Sequence, residues 1–237
     1  MSAAQPAVHL LVVAGGRGVR AAGGGEVPKQ FRPTGRGMLL RVAVDAFCAT
    51  GAGVRPSSLT VTAPAAWHHR LAEELADLGL PLALADAGDS RTASTWNGLL
   101  ALEAKVAPAA SDLVAIHDAA RPFASAALLA RLVAAAAARG GAVPGVPVPD
   151  TIVHREQGRA RDLTRDELLA VQTPQVFRWE QLREAHAWAA ASGVAFTDDG
   201  GLLAARGHDP AVVDGEIANW KITTEGDWRR AADLLAE

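Results

Sequence analysis

Apolar positions along the chain follow two alternating rhythms. Short runs rich in aliphatic and β-branched residues recur: "VHLLVVA" from Val8, "SSLTVTA" from Ser57, "LPLALAD" from Leu80 and "DLVAIHD" from Asp112. Their length and near-continuous apolar character predict strands buried on both faces. Between them, "MLLRVAVDAFCAT", "PAAWHHRLAEELADLG", "SRTASTWNGLLALEAKV" and "SAALLARLVAAAAARG" carry helical patterns. Pro64 opens and Gly79 closes the second of these helices, and Gly140 closes the fourth. Strand and helix thus alternate four times, which predicts right-handed crossovers and a mostly parallel sheet covered on both faces. The expected fold is α/β: one Rossmann-like domain over residues 1–237, with a mostly parallel central sheet.

After Gly141 the rhythm changes. "AVPGVPVPDTIVHREQGRARDLTR" holds Pro144, Pro147 and Pro149, few helix formers and many charges. Proline donates nothing to a ladder, so the segment is expected at an edge, over a site or against another subunit, with an extended β-arm at about residues 147–166. "LLAVQTPQVF" then resumes an apolar run. A helix from about Trp179, a short helix through "DDGGLLAARG", strands around "AVVDG" and "IANWKIT", and a closing helix complete the domain.

Composition narrows the functional classes. Charged residues make up 21% and the formal net charge is -3, so no basic excess points to nucleic acid, and any polyanion site must be local. Cys48 is the sole cysteine, which excludes an intramolecular disulfide and a multi-cysteine zinc site and predicts a core filler. The start lacks a cationic leader, and no run of about 18 apolar residues occurs. These features predict a soluble, cytoplasmic protein with no membrane partner.

One stretch carries a chemical signal. "AGGRGVRAAGGGEVPKQ", residues 14–30, follows the first predicted strand and combines six glycines between Gly15 and Gly25 with Arg17, Arg20 and Lys29. In an open parallel sheet, ligands sit beyond the carboxyl ends of the strands, where this stretch begins. Bare backbone approaches an anion closely, and cations add charge-assisted hydrogen bonds, so the stretch reads as a polyphosphate cradle. A surface loop with solvated cations is the competing reading. A P-loop requires Gly-Lys and then Ser or Thr, whereas Lys29 lies between Pro28 and Gln30. A dinucleotide fingerprint requires glycine where Ala21 stands.

"AGGRGVR" with "PKQ" is followed in order by "AGDSRTASTWNGL", "HDAARP", "DLTRDELLAVQTPQVF", "TDD" and "NWKIT". This series resembles the 2-C-methyl-D-erythritol 4-phosphate cytidylyltransferase family over nearly the whole chain. The resemblance implies a nucleotidyltransferase that uses CTP, a polyol phosphate and Mg2+ in non-mevalonate isoprenoid synthesis, as a homodimer whose arm reaches the partner's site. Carried onto this sequence, it makes Arg20, Lys29, Arg165 and Lys221 catalytic. Ala14, Gly15, Gly16, Gly18, Gly88, Asp89 and Ser94 would bind CTP, with Arg91 supporting the cytosine-reading loop. Arg121, Thr151, Arg165, Thr173 and Lys221 would bind the alcohol phosphate. Asp118, at a strand end, is the metal-ligand candidate, and as alternatives it could cap a helix or pair with Arg121. Asn219 could supplement the metal shell, although Ala218 stands where many members carry an acid. His117 reads as structural. "AAGGGEVP" lengthens the usual connection between Arg20 and Lys29, and "TDDGG" replaces a commoner "TDEAS". Ribitol 5-phosphate cytidylyltransferase shares most of these motifs and stands as the alternative.

Overall fold

The computed structural model describes residues 5–16, 27–48 and 53–236, so Arg17, Gly18 and Arg20 lie outside the described residues. The first half runs β1 (Val8–Val13), β2 (Pro33–Thr34), β3 (Gly37–Met38), α1 (Leu39–Cys48), β4 (Ser58–Ala63), α2 (His68–Glu74), β5 (Leu82–Asp86), α3 (Arg91–Val106), β6 (Leu113–Asp118) and α4 (Ala126–Arg139). The second half adds β7 (Gly141–Pro147), β8 (Val153–Glu156), β9 (Arg159–Asp162), β10 (Leu169–Val171), β11 (Gln175–Arg178), α5 (Trp179–Ser192), α6 (Asp199–Ala205), β12 (Ala211–Asp214) and α7 (Glu225–Leu235). No helix among the described residues is long and apolar enough to cross a membrane.

The central sheet is ordered β5-β4-β1-β6-β11-β7, with β10 and β12 both pairing with β7. β5, β4, β1 and β6 are parallel, and β12 is parallel to β7. β11 runs antiparallel to β6 and β7, and β10 antiparallel to β7. The sheet is therefore mixed but mostly parallel. Alternation of side chains explains the layers: Leu10, Val12, Leu113 and Ala115 enter a core with α1, α2 and α4. Leu11, Val114 and Ile116 enter the opposite core with α3, α5 and α6. A period of two with apolar residues on both faces requires helices on both sides. Cys48 belongs to the first core, and burial raises its thiol pKa to about 11.

Two expectations are corrected. Residues 141–147 form a strand inside the sheet despite their prolines. The Pro144 carbonyl accepts from the Gln172 N–H (2.8 Å), so the missing proline donor falls in the gap between β10 and β11, where no ladder bond is lost. The arm proper is the exposed hairpin β8–β9, turned by Gln157 and Gly158, which both have positive φ. The second correction concerns "IANWKIT", which forms no strand. Its Ile222 N–H instead donates to the Ala120 carbonyl (2.9 Å), while Ile222 packs with Leu39, Val42, Ala231 and Leu235 of α1 and α7. Packing at both ends replaces a ladder.

Candidate active site

The parallel strands end in one cleft. Beyond β1 the chain gives Ala14, Gly15 and Gly16; beyond β5, Gly88, Asp89 and Ser90; and beyond β6, Ala119 and Ala120. All of these line a cavity of about 700 Å3 together with Lys29, Gln30, Arg91, Ser94, Asp118 and Lys221. Close approach sets the glycines. A Cβ on Gly15 would lie 2.5 Å from the Ala87 Cβ, and one on Gly88 would lie 2.6 Å from the Ala93 Cβ, so neither site admits a side chain without displacement. Among the described residues, a Cβ at Gly16 would meet nothing within 4 Å.

Polar clamps fix this wall. The Gln30 amide donates to the carbonyls of Ala14 (2.7 Å) and Gly16 (2.8 Å), which ties the single 3-10 turn Lys29–Phe31 to the start of the glycine stretch. Ser90 caps α3 by accepting from the Ala93 N–H (3.0 Å). The Ser94 hydroxyl accepts from the Gly88 N–H (3.0 Å) and donates to the Ser90 carbonyl (2.8 Å). The N-terminal end of a 16-residue helix thus faces the cleft, where its dipole favours an anion. The Lys29 amine donates to the Ile222 carbonyl, so one side chain links the glycine side to the segment carrying Lys221.

A second cavity of about 290 Å3 adjoins the first. It is lined by Arg121, Gln172, Thr173, Thr197 and Asp198, and it shares Arg91, Asp118 and Lys221 with the first. The shared wall is an ion cluster: Lys221 Nζ lies 2.6 Å from Asp118 Oδ2, and Arg91 Nε 3.3 Å from Asp118 Oδ1. Burial alone would raise the Asp118 pKa, but Arg91 and Lys221 outweigh it and hold the carboxyl well below the usual range. Asp118 pairs with these two cations and not with Arg121, whose guanidinium donates to the carbonyls of Asn219 (2.7 Å) and Val171 (3.4 Å). Arg91 reaches across to Asp118 and Asp199, away from the Gly88 loop.

Of the candidates, Ala14, Gly15, Gly16, Lys29, Gly88, Asp89, Ser94, Asp118, Arg121, Thr173 and Lys221 line one cleft or both. Thr151 and Arg165 do not: they stand exposed on the arm segment. Asn219 is buried and lines neither cleft; its Nδ2 donates to the Thr173 carbonyl (2.8 Å), which makes it a brace for the second cleft. Sequence reasoning missed Gln30, Gln172, Thr197 and Asp198 as cleft residues. "PKQ" and "TDD" contained the signal for Gln30, Thr197 and Asp198, and "DLTRDELLAVQTPQVF" that for Gln172.

His117 braces the shared wall from behind. Burial pushes its pKa down to about 4, so the ring is neutral. Its Nε2–H donates to the Arg121 carbonyl (2.9 Å), and Nδ1 accepts from the Thr173 hydroxyl (3.2 Å), which in turn accepts from the Asp118 N–H (3.0 Å). Thr173 therefore has no proton left for a ligand phosphate and can only accept. The unfolded ring titrates near 6.5, so between pH 6.5 and 4 the unfolded chain binds more protons and stability falls as pH falls. We expect a loss of about 3 kcal/mol across that window from His117. Urea unfolding should show a shallower acid decline in His117→Gln than in the parent; equal slopes would contradict the assignment.

An open, mostly parallel sheet with a glycine-walled, cation-lined cleft at its strand ends defines the nucleotidyltransferase type of α/β fold. Within that class, the chain belongs to the 2-C-methyl-D-erythritol 4-phosphate cytidylyltransferase (IspD) family, whose model matches residues 8–237. It is 38% identical over 235 residues to the bifunctional enzyme IspD/IspF of Nitrobacter winogradskyi and 39% identical over 230 residues to that of Rhodopseudomonas palustris. Each alignment covers 95% of this chain and 55% of the relative, so the chain spans about half the length of these relatives. The crystal structure of 2-C-methyl-D-erythritol 4-phosphate cytidylyltransferase from Thermus thermophilus matches with a TM-score of 0.74 at 35% identity, covering 96% of this chain and 98% of that one.

Proposed function

We propose that the chain transfers CMP from CTP to 2-C-methyl-D-erythritol 4-phosphate, releasing pyrophosphate, in non-mevalonate isoprenoid precursor synthesis. The observation that carries this reading is the pair of adjoining clefts whose common wall is Arg91, Asp118 and Lys221. A triphosphate against the glycine wall and a phosphorylated alcohol beside Arg121 would meet at that wall. A phosphate oxygen of the alcohol would then bond to the α-phosphorus while the bond to pyrophosphate breaks, the leaving group taking the electron pair. No covalent enzyme intermediate is needed, so the chain contributes alignment and positive charge. Lys29 and Lys221 border the first cleft and would meet the charge that grows on the phosphoryl oxygens.

Among the described residues no group of three or more His, Cys, Asp or Glu is placed to hold a metal ion. Asp118 supplies one carboxylate, which fits magnesium brought by the triphosphate, whose oxygens and waters would fill the remaining positions. Such an ion would neutralise phosphate charge. The exposed positions of Thr151 and Arg165 support a homodimer in which each arm completes the partner's second cleft.

Pyrophosphate release with CTP, with and without magnesium, and either 2-C-methyl-D-erythritol 4-phosphate or ribitol 5-phosphate tests the proposal. Magnesium-dependent turnover with the first alcohol is expected. Turnover with ribitol 5-phosphate alone would overturn it.

A further inference from the structure

Behind the shared wall lies a buried polar cluster that touches neither cleft. Asp199 and His186 are each 1% exposed, and neither lines either of the two clefts. Asp199 Oδ1 pairs with His186 Nε2 at 3.0 Å, and Oδ2 pairs with Arg91 Nη1 at 2.7 Å. From Arg91 the chain of charges continues to Asp118 and then to Lys221, so five side chains connect the interior of α5 and α6 to the wall.

We infer that Asp199, backed by His186, is a positioning residue that sets the Arg91 guanidinium and, through it, the Asp118 carboxylate between the two clefts. The inference rests on the function proposed above.

The backbone around Asp199 is fixed as such a role requires. The side-chain oxygen of Gln175, on β11, accepts from the N–H groups of Asp199 (3.2 Å) and Gly200 (3.0 Å). A Cβ on Gly200 would lie 2.7 Å from Val143 Cγ1, so glycine lets the start of α6 press against β7 and brings a short carboxylate within reach of Arg91. Arg91 suits its place because a guanidinium fork presents separate donors to two carboxylates, which an ammonium cannot do with fixed geometry. Burial opposes the charge of both groups. Asp199 and Asp118 outweigh it to raise the Arg91 pKa, and Arg91 and His186 outweigh it to lower the Asp199 pKa. A buried ion cluster is a poor stabiliser compared with apolar packing of equal volume. Its product is a fixed direction for Arg91. With Arg91 on Oδ1 and Lys221 on Oδ2, the Asp118 carboxylate is held in one orientation in the wall common to both substrates.

The test compares Asp199→Asn, Arg91→Lys and the double variant with the parent, after circular dichroism has confirmed folding. Each single variant should lose about 10- to 100-fold in kcat at saturating substrates, because a small misplacement at the reacting groups has that cost. The double variant should be no slower than the slower single variant, since Asp199 acts only through Arg91. Losses that multiply, or parental turnover in either folded single variant, would overturn the inference. If Asp199→Asn does not fold, Arg91→Lys decides alone: a lysine can pair with one carboxylate but not span two, and parental kcat there sinks the proposal. Should the parent itself show no turnover, the functional reading falls, and CTP affinity measured by calorimetry decides the positioning role on the same cycle. Equal, non-multiplying weakening then supports it, and parental affinity in the variants refutes it.

Discussion

Lys29→Ala is expected to lower turnover on the order of 100- to 1,000-fold while CTP affinity stays within about tenfold of the parent. In the proposed reaction, charge accumulates on the α-phosphoryl oxygens and the departing pyrophosphate only as the bond to pyrophosphate breaks. A fixed ammonium therefore stabilises the transition state more than the bound nucleotide. Lys29 is well placed for this role: its one-turn helix is held to the glycine stretch through Gln30, and its amine contacts the Ile222 carbonyl, one residue from Lys221. Deleting the side chain also removes that contact, so steady-state kinetics must be read beside CTP calorimetry and a thermal melt. A parental kcat would remove Lys29 from the chemistry. A loss confined to CTP affinity would reduce it to a binding residue.

Arg165→Ala is expected to be nearly inactive towards the alcohol phosphate, and mixing it with Lys29→Ala should restore activity. Within one chain Arg165 lines neither cleft, and its side chain is 54% exposed and pairs with Asp166 at 3.6 Å. An exposed ion pair of that kind holds nothing firmly, being worth about 0–1 kcal/mol. The exposed hairpin β8–β9 and the 3-10 turn Arg165–Glu167 that follows it gain a role if they dock against a second copy. If they do, a mixed dimer has one site with both lesions and one with neither. Random exchange of equal amounts should then recover about a quarter of the parental sites. Equilibrated mixtures that stay inactive, with heterodimers demonstrated, would show that Arg165 acts within its own chain or not at all.

Much of this architecture was written in local pattern. Strands apolar on both faces, such as "VHLLVV" and "LVAIHD", cannot be satisfied except between two layers of helices, and they lie there. Glycines crowded after the first strand marked the cleft, and the order of short motifs along the chain pointed to the family that its model match shows. Ser90 as the cap of α3 and the left-handed Gly79 and Gly140 at helix ends follow from single-residue chemistry.

Long-range pairing was not legible in the same way. Pro144 argues against an interior strand, and the gap between β10 and β11 explains how it is accommodated, while Pro147 is the last residue of β7. The apolar residues of "IANWKIT" looked like a strand, but hydrogen bonds to Ala120 and Arg121 and packing on α7 drew them into an irregular segment that delivers Lys221. Arg91 and Asp199 are 108 positions apart, and Lys221 and Asp118 103, so no local periodicity relates them. Sequence determined which residues seek burial, which cap helices and which can bare their backbone to an anion, because those preferences reside in single side chains and their near neighbours. Tertiary structure alone decided which buried charges meet, because a buried ion is tolerated only opposite a partner that packing of distant segments has already brought within about 3 Å.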